Sequence, residues 1–217
     1  MKKTLMFLCA AALCATAFAQ QHARTIPAPA QKPQVITPAQ DTPAGLKKLF
    51  SNLGASKTAA FYGAAWLLTG PNSVSAFQQW VAMPFTVKAA STVDQVQVAI
   101  QYNASGANQI NLSIYTDNSG TPGTLIAGPI TVTNLPSYFE CCTLTVGNFS
   151  PGVSVAAATQ YWVVADTPTS GLGSDFEGTW DFVPPAKSST GFNQNTSWFS
   201  APAAIQEPAG AVYGTTP

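Results

Sequence analysis

Hydrophobic and polar residues alternate strictly in two neighbouring stretches near the middle of the chain. Successive side chains of a strand point to opposite faces, so each stretch predicts a strand with one buried and one wet face. Residues 103–108, which separate the two stretches, have turn composition, and we expect the strands to pair as an antiparallel hairpin. A second turn is expected over 117–123, where Asp, Asn, Gly and Pro are concentrated. The apolar positions are Val96, Val98, Ile100 and Tyr102 in the first stretch and Ile110, Leu112 and Ile114 in the second.

Further short strands are predicted on both sides of this hairpin. The stretch 160–165 is apolar on both faces and is expected to be a central strand that is covered on both sides. Pro84 predicts an edge or a bulge in its own strand. The chain is therefore expected to be all-β, an antiparallel β-sandwich of jelly-roll type with at most one short helix. The other predicted strands are 61–68, 79–87, 124–133, 143–146, 177–183, 197–199 and 211–213.

The first 19 residues have the features of a signal peptide. Lys2 and Lys3 form a positive start, and residues 5–15 are an apolar stretch that is too short to span a membrane as a helix. Ala17 and Ala19 match the small-x-small cleavage rule. We therefore expect cleavage near Ala19, a secreted or periplasmic protein, and no transmembrane segment after cleavage.

A linker, a short helix and the sandwich domain are expected after the leader. Residues 20–45 are rich in Pro, Ala and Gln and show no periodicity, which predicts a disordered linker. In 46–54 the apolar residues recur at helical spacing, which predicts a short amphipathic helix. This helix either binds a membrane or a partner, or it is a frayed segment or a cap on the sandwich, and we prefer the second interpretation because the helix has only two turns. The β-sandwich domain is then expected over 55–217. The apolar residues of the predicted helix are Leu46, Leu49, Phe50 and Leu53.

Cys141 and Cys142 are the only cysteines expected in the mature chain, because Cys9 and Cys14 lie in the leader. In an oxidising compartment the two neighbours form a vicinal disulfide, pair between molecules, or remain as small buried side chains. No histidine or third cysteine lies near them in sequence, which argues against a metal or redox site.

Composition argues against several classes of function. Charged residues make up only 8% of the chain, against about 25% in typical soluble domains, so a nucleic-acid partner is not expected. The single histidine, His22, lies in the predicted linker, which argues against Ser–His–Asp and Cys–His catalysis and against a histidine zinc site. No phosphate-binding loop or nucleophile elbow is present. The chain is therefore predicted to have no catalytic activity, no cofactor and no metal.

Two groups of acidic residues are the remaining candidates for chemistry. Asp175, Glu177 and Asp181 lie close together in sequence. With Trp180 between them they have the composition of a glycosidase site, although solvated loop acids have the same pattern. Asp117 and the two residues after it offer oxygens to Ca²⁺, but the Gly and Pro that follow already explain a turn. We prefer the solvated-acid and the turn interpretations.

Aromatic residues are the strongest binding signal in the chain. Trp180 and Trp198 flank a polar loop over 184–196. Flat aromatic faces stack on sugar rings and amide side chains bond hydroxyls, so we predict a glycan-binding site here; the alternative is that both tryptophans are half-buried core residues. The predicted ligand-binding residues are Trp180, Trp198, Asn193, Gln194 and Asn195.

Four stretches carry a resemblance to a known group of domains. They are QVQVAI at 95–100, LSIYTDNSGTPG at 112–123, ATQYWVVAD at 158–166 and AVYGTTP at 211–217. Over roughly residues 60–217 the chain resembles uncharacterised bacterial secreted β-sandwich domains of the choice-of-anchor type. The resemblance implies a β-sandwich and no particular activity. Members often end in a C-terminal sorting helix, and this chain instead ends at Pro217 without an apolar tail, so we do not expect that anchor.

Two functions from different classes remain. The first is an exported, non-catalytic β-sandwich domain that binds extracellular or cell-surface glycan. The second is a structural or protein-interaction module of the cell envelope with no small ligand. Exposed coplanar aromatic rings would favour the first, and a long unprotected edge strand or a contiguous apolar patch would favour the second.

Overall fold

The computed structural model describes residues 23–27, 42–53, 62–138, 143–183, 189–195, 197–201 and 207–217. All helical or strand structure in these ranges is β-strand, paired in antiparallel sheets, which confirms the all-β prediction and is consistent with a β-sandwich. Within them, no helix has the length and apolar character to cross a bilayer. The predicted signal peptide, most of the predicted linker, Cys141 and Cys142 lie outside the described residues.

The described residues form fifteen strands. The strands predicted over 79–87, 160–165, 177–183 and 211–213 correspond to β4, β10, β11 and β15. In chain order the strands are β1 (Thr25–Pro27), β2 (Lys47–Ser51), β3 (Tyr62–Thr69), β4 (Trp80–Thr86), β5 (Ser91–Val98), β6 (Ile100–Ser105), β7 (Gln109–Asp117), β8 (Pro122–Thr133), β9 (Thr145–Val155), β10 (Gln160–Asp166), β11 (Glu177–Val183), β12 (Thr190–Asn193), β13 (Trp198–Ala201), β14 (Glu207–Pro208) and β15 (Gly210–Thr215).

The first layer is a six-stranded sheet in the order β13-β12-β4-β10-β7-β8. Strand β10 pairs with β4 on one side and with β7 on the other. Trp162 and Val163 point to opposite faces of β10, and both are completely buried. The expected central strand, covered on both faces, is therefore confirmed.

The second layer consists of two sheets, and two stretches of the chain run from one sheet into the other. A four-stranded sheet has the order β2-β15-β5-β9, and a five-stranded sheet contains β1, β3, β11 and β14, with β6 also paired to β11. The aromatic contacts between the layers show how they pack: Phe50 meets Phe85 at 6.2 Å, and Trp66 meets Phe192 at 4.6 Å. The core lies between the six-stranded sheet and these two sheets.

Three main-chain hydrogen bonds join the two sheets of the second layer. Strand β5 continues into β6 through Ala99, and β14 continues into β15 through Ala209. The amide of Ala99 donates to the carbonyl of Ala209, and the amide of Asp181 donates to the carbonyl of Ala99, each at 3.0 Å. The amide of Ala209 donates to the carbonyl of Asp181 at 2.8 Å. We call this arrangement the corner. It allows β11 to pair with both β6 and β14.

The hairpin predicted between the two alternating stretches is wrong. Val96 and Ile114 both face the core, as the alternation predicted, but from opposite layers. Strand β6 pairs with β11, whereas β7 pairs with β10 and β8. The predicted turn over 103–108 therefore carries the chain from one layer to the other. Alternation determines which face of a strand is buried, but it does not determine which strand lies beside it.

The short helix predicted over 46–54 is also wrong. Residues Lys47–Ser51 form strand β2, which pairs with β15 at the edge of the four-stranded sheet. A helix of two turns has little stability of its own. Pairing with β15 therefore outweighs the helical preference of this segment. Strand β1 (Thr25–Pro27) lies in the segment that was expected to be a disordered linker, and it pairs with β3. The sandwich therefore recruits residues before position 55.

Trp180 tests how strongly the corner depends on side-chain packing. Its side chain is completely buried, and its indole N–H donates to the carbonyl of Ala209 at 2.9 Å. We expect Trp180→Ala to lower the free energy of unfolding by about 3–5 kcal/mol. Trp180→Phe keeps an aromatic ring but loses the hydrogen bond, and should cost about 1–3 kcal/mol. Urea unfolding measures both changes; a Trp180→Ala cost no larger than that of Trp198→Ala, at a half-exposed site, would contradict this assignment.

Candidate functional site

The two tryptophans of the predicted glycan site do not lie together. Trp180 is on β11 in the five-stranded sheet and points into the core, where none of its surface is exposed. Trp198 is on β13 at the edge of the six-stranded sheet and is half-buried. The prediction that both form one stacking platform is therefore wrong for Trp180, because every residue of its strand is buried.

The three predicted amide residues have three different environments. Asn193 is the last residue of β12 and lies directly opposite Trp198 in the strand register. Gln194 is buried and donates to the side-chain oxygen of Gln79 at 2.8 Å. Asn195 is exposed, with a φ of 78° that is typical of a turn. Of the three, Asn193 is the one that shares a sheet face with Trp198.

A row of polar and aromatic side chains crosses the face of the six-stranded sheet that is turned away from the core. We call this the outer face. Asn193 is flanked by Trp198 on one side and by Trp80 on the other. Two strands further on, Asp166 lies opposite Asn111, which lies opposite Thr131 on the edge strand β8. The register of β4 against β10 places Trp80 level with Asp166. We refer to Asn193, Asp166, Asn111 and Thr131 as the polar row.

Hydrogen bonds orient one half of the polar row. The hydroxyl of Thr131 donates to the side-chain oxygen of Asn111 at 3.0 Å. The amide nitrogen of Asn111 then donates to Oδ1 of Asp166 at 3.1 Å. Because the amide oxygen is already engaged by Thr131, Asn111 is held with its N–H groups towards Asp166.

Two half-buried aromatic rings lie beside the polar row. The ring centroids of Tyr115 and Trp198 are 6.5 Å apart, and the ring planes are inclined by 61°. Both rings pack on a small second hydrophobic cluster formed by Ala82, Trp162 and Val164. We call Tyr115 and Trp198 the aromatic pair. The buried cluster beneath them supports both rings, so their orientation is defined by packing.

Two buried polar atoms on the outer face have no hydrogen-bond partner among the described residues. They are Oδ1 of Asn193 and Oγ of Ser113, which lies between Asn111 and Tyr115 on β7. Asn193 exposes only 7% of its surface and Ser113 only 1%. Buried polar groups are nearly always satisfied by protein or by ordered water. Because both atoms are covered, a ligand that lies on this face meets the more exposed groups of the row first.

The electrostatics of the outer face are dominated by one carboxylate. Burial raises the pKa of Asp166 from 3.8 to about 6, and the hydrogen bond from Asn111 limits that rise. The pKa of Tyr115 is raised by burial and, to a smaller extent, by the negative charge of Asp166. The phenol and the carboxylate therefore influence each other across the face.

The acidic residues singled out around Trp180 do not converge on one site. Glu177 accepts hydrogen bonds from the amide and hydroxyl of Ser75, and Asp175 accepts one from the amide of Ala107. Glu177 and Asp181 are four residues apart on one strand, about 13 Å, which exceeds the carboxylate spacing of glycosidases. No group of three His, Cys, Asp or Glu side chains suited to a metal ion occurs in the part of the chain that the structure describes.

Asp117 is the anchor of the turn between β7 and β8. Its Oδ1 accepts hydrogen bonds from the indole N–H of Trp162 and from the side-chain amide of Gln160, both at 2.8 Å. The main-chain amide of Gly120 also donates to this carboxylate. These donors show that Asp117 is part of the turn that the sequence predicted over 117–123.

Most residues of the outer face were not among the predicted binding residues: Asp166, Asn111, Trp80 and Tyr115 were not selected. The available signal was the wet face of β7, where Asn111, Ser113 and Tyr115 recur at every second position. That signal becomes useful only once β10 is known to lie beside β7, because Asp166 comes from the neighbouring strand.

Comparisons of this chain with models of protein families, with characterised proteins and with solved structures found no match. The resemblance to choice-of-anchor domains therefore stays a prediction, and the functional argument depends on the geometry of the outer face.

Asp181 predicts a pH dependence of stability. Burial raises its pKa from 3.8 to about 7, so the folded protein retains a proton that the unfolded chain releases between about pH 4 and pH 7. The stability that this proton contributes is present at acidic pH and is lost as the pH rises through 7. Asp181→Asn should therefore gain stability relative to the wild type between pH 4 and pH 8, by up to about 4 kcal/mol.

Chemical unfolding at a series of pH values measures this difference. Trp180→Phe removes no titratable group and should follow the pH profile of the wild type. A stability difference between Asp181→Asn and the wild type that is the same at pH 4 and pH 8 would contradict the prediction.

Asp117 gives a second test. Asp117→Ala leaves the indole N–H of Trp162 and the side-chain amide of Gln160 without their acceptor. This change should lower the free energy of unfolding by about 2–4 kcal/mol. Asn118→Ala, at an exposed neighbour, should cost under about 1 kcal/mol.

Thermal unfolding with and without millimolar Ca²⁺ should give the same Tm. A rise of the Tm with Ca²⁺ would favour a calcium site at Asp117.

Proposed function

We propose that this chain is an exported, non-catalytic β-sandwich domain that binds glycan on the outer face of its six-stranded sheet. The observation that carries the proposal is the aromatic pair, half-buried and next to a polar row in which Asp166 has Asn111 as its one described hydrogen-bond donor. Export is inferred from the signal peptide that the first 19 residues predict.

The chemistry of the outer face complements a sugar. A sugar ring has an apolar face of C–H groups, which packs on an aromatic ring, and hydroxyl groups that both donate and accept hydrogen bonds. Trp198 and Tyr115 supply aromatic surface, and the polar row supplies carboxylate and amide groups. From Asn193 to Asn111 the row crosses three strand spacings, about 14 Å, which suits a short stretch of a polysaccharide chain.

The geometry of the aromatic pair favours one type of glycan. Because the two rings are inclined by 61°, they are not the exposed coplanar rings that would have favoured glycan binding most directly. One ring can stack on a sugar while the other contacts the side of the chain. We therefore favour single, soluble glycan chains as ligands over the flat face of an insoluble polysaccharide.

The alternative function, a structural or protein-interaction module, has less support from the sheet edges. Five edge strands among the described strands carry a feature that opposes strand addition: β1 and β13 are only three and four residues long, and β2 begins with two lysines. Pro129 interrupts β8, and Pro151 interrupts β9. Short length, lysine and proline all disfavour pairing with a further strand.

Glycan binding can be measured with the full chain. Affinity electrophoresis and calorimetry against soluble starch, a β-1,3-glucan, a galactomannan and polygalacturonate cover neutral and acidic chains, and insoluble cellulose and chitin test the flat alternative. We expect binding to at least one soluble neutral glycan and at least tenfold weaker binding by Trp198→Ala, since tenfold corresponds to about 1.4 kcal/mol.

A matched control is available on a loop outside the polar row. Phe77 is a half-buried aromatic residue on the loop between β3 and β4, where Arg24 stacks on its ring. Phe77→Ala should leave glycan binding unchanged. The proposal fails if the wild type binds none of these glycans, or if Phe77→Ala weakens binding as much as Trp198→Ala does.

A further inference from the structure

We propose that Asp166 determines the specificity of the outer face, selecting uncharged glycans whose hydroxyls donate to its carboxylate and rejecting acidic ones. This inference rests on the proposed function and adds a ligand class and a pH dependence to it. It is carried by four observations: the position of Asp166, its hydrogen bonding, the charges around it and its titration.

Asp166 occupies the middle of the polar row and is accessible. It is the last residue of β10, level with Trp80 on one side and with Asn111 on the other. Its side chain is half-buried, so a ligand that lies along the row meets it. Trp80 is fixed by a 3.1 Å hydrogen bond from its indole N–H to the hydroxyl of Thr167, the residue after Asp166.

The carboxylate has unused acceptor capacity. Among the described residues Asn111 is its one hydrogen-bond donor, and that bond engages Oδ1. An ionised carboxylate offers about four acceptor positions and no donor. A ligand at Asp166 must therefore bring O–H or N–H groups, and a sugar with neighbouring hydroxyls supplies them. The second N–H of Asn111 can donate to the oxygen of the same hydroxyl group.

The surrounding charges disfavour an acidic ligand. Of the cationic residues in the described ranges, Lys47 and Lys48 are on β2, and Lys88 follows β4 at the end remote from Trp80. Arg24 lies nearer, because its main-chain amide donates to the side chain of Gln79 at 2.8 Å, but its guanidinium lies over the ring of Phe77. A uronic acid beside Asp166 would therefore meet the charge of that carboxylate. Like charges brought together in a partly desolvated site repel strongly.

Titration of Asp166 adds a pH dependence. The titratable groups that its neighbouring strands contribute are Tyr115, whose pKa is raised, and Asp117, which lies at the far end of β7 and bonds to Trp162. Burial raises the pKa of Asp166 to about 6, so the carboxylate is mostly ionised at pH 7.5 and mostly protonated at pH 5. A protonated carboxyl loses acceptor capacity, so binding weakens as the pH falls.

The test measures the affinity of the full chain for the neutral glycan that binds best among soluble starch, the β-1,3-glucan and the galactomannan, at pH 5 and pH 7.5. We expect the wild type to bind about tenfold more weakly at pH 5, the ratio that a pKa near 6 implies. Asp166→Asn should bind about tenfold more weakly than the wild type at pH 7.5 and should lose the pH dependence. It should also lose discrimination against polygalacturonate.

Asp175→Asn is the matched control, because Asp175 is a half-buried carboxylate on the loop between β10 and β11 that accepts one amide hydrogen bond. It should bind as the wild type does. The inference is overturned, with glycan binding retained, if the wild type binds equally at both pH values, if Asp166→Asn binds as tightly as the wild type, or if polygalacturonate is preferred. Absence of binding to every glycan would instead refute the proposed function and this inference with it. The pH profile of the wild type decides the question even if Asp166→Asn fails to fold.

Discussion

The corner formed by Ala99, Asp181 and Ala209 is the constraint on which the second layer depends. Their main-chain amides and carbonyls form three hydrogen bonds, and this joins the four-stranded and five-stranded sheets where two strands pass from one to the other. Trp180 occupies the core side of this join and bonds to the Ala209 carbonyl. With the second layer in place, the six-stranded sheet is covered on its inner side, and the proposed site lies on its outer face.

Strand β10 connects the core to the outer face. Val163 packs between the layers, and the adjacent Trp162 is buried on the opposite side, where it supports the aromatic pair. Asp117 accepts the indole N–H of Trp162 and so ties the turn after β7 to the same strand. The candidate site is therefore built on the most constrained strand of the sheet, which reduces the freedom of the rings and of Asp166 before any ligand binds.

Residue patterns predicted the class of structure but not the neighbours of each strand. The alternation of Val96 to Ile100 and of Ile110 to Ile114 correctly identified buried faces, because one side of each strand must leave water. The expected hairpin was wrong, and so was the helix at Leu46 to Gly54, since strand partners and edge pairing are decided by the whole sheet. For the same reason Trp180 was wrongly paired with Trp198, while Asp166 and Tyr115, which the register of β7 and β10 brings to one face, were missed.

Asp166 and Asp181 show why burial alone does not identify a functional carboxylate. Both have a raised pKa because they lie away from water, and both lie on a sheet face that points away from the core. Asp181 is almost fully covered and its negative charge acts on Tyr138, so its effect is on stability. Asp166 is half-buried, is oriented by Asn111 and lies in line with Asn193 and Trp198. The cost of desolvating a carboxylate is recovered by ligand hydroxyls only where the ligand can reach it, and this condition separates the two residues.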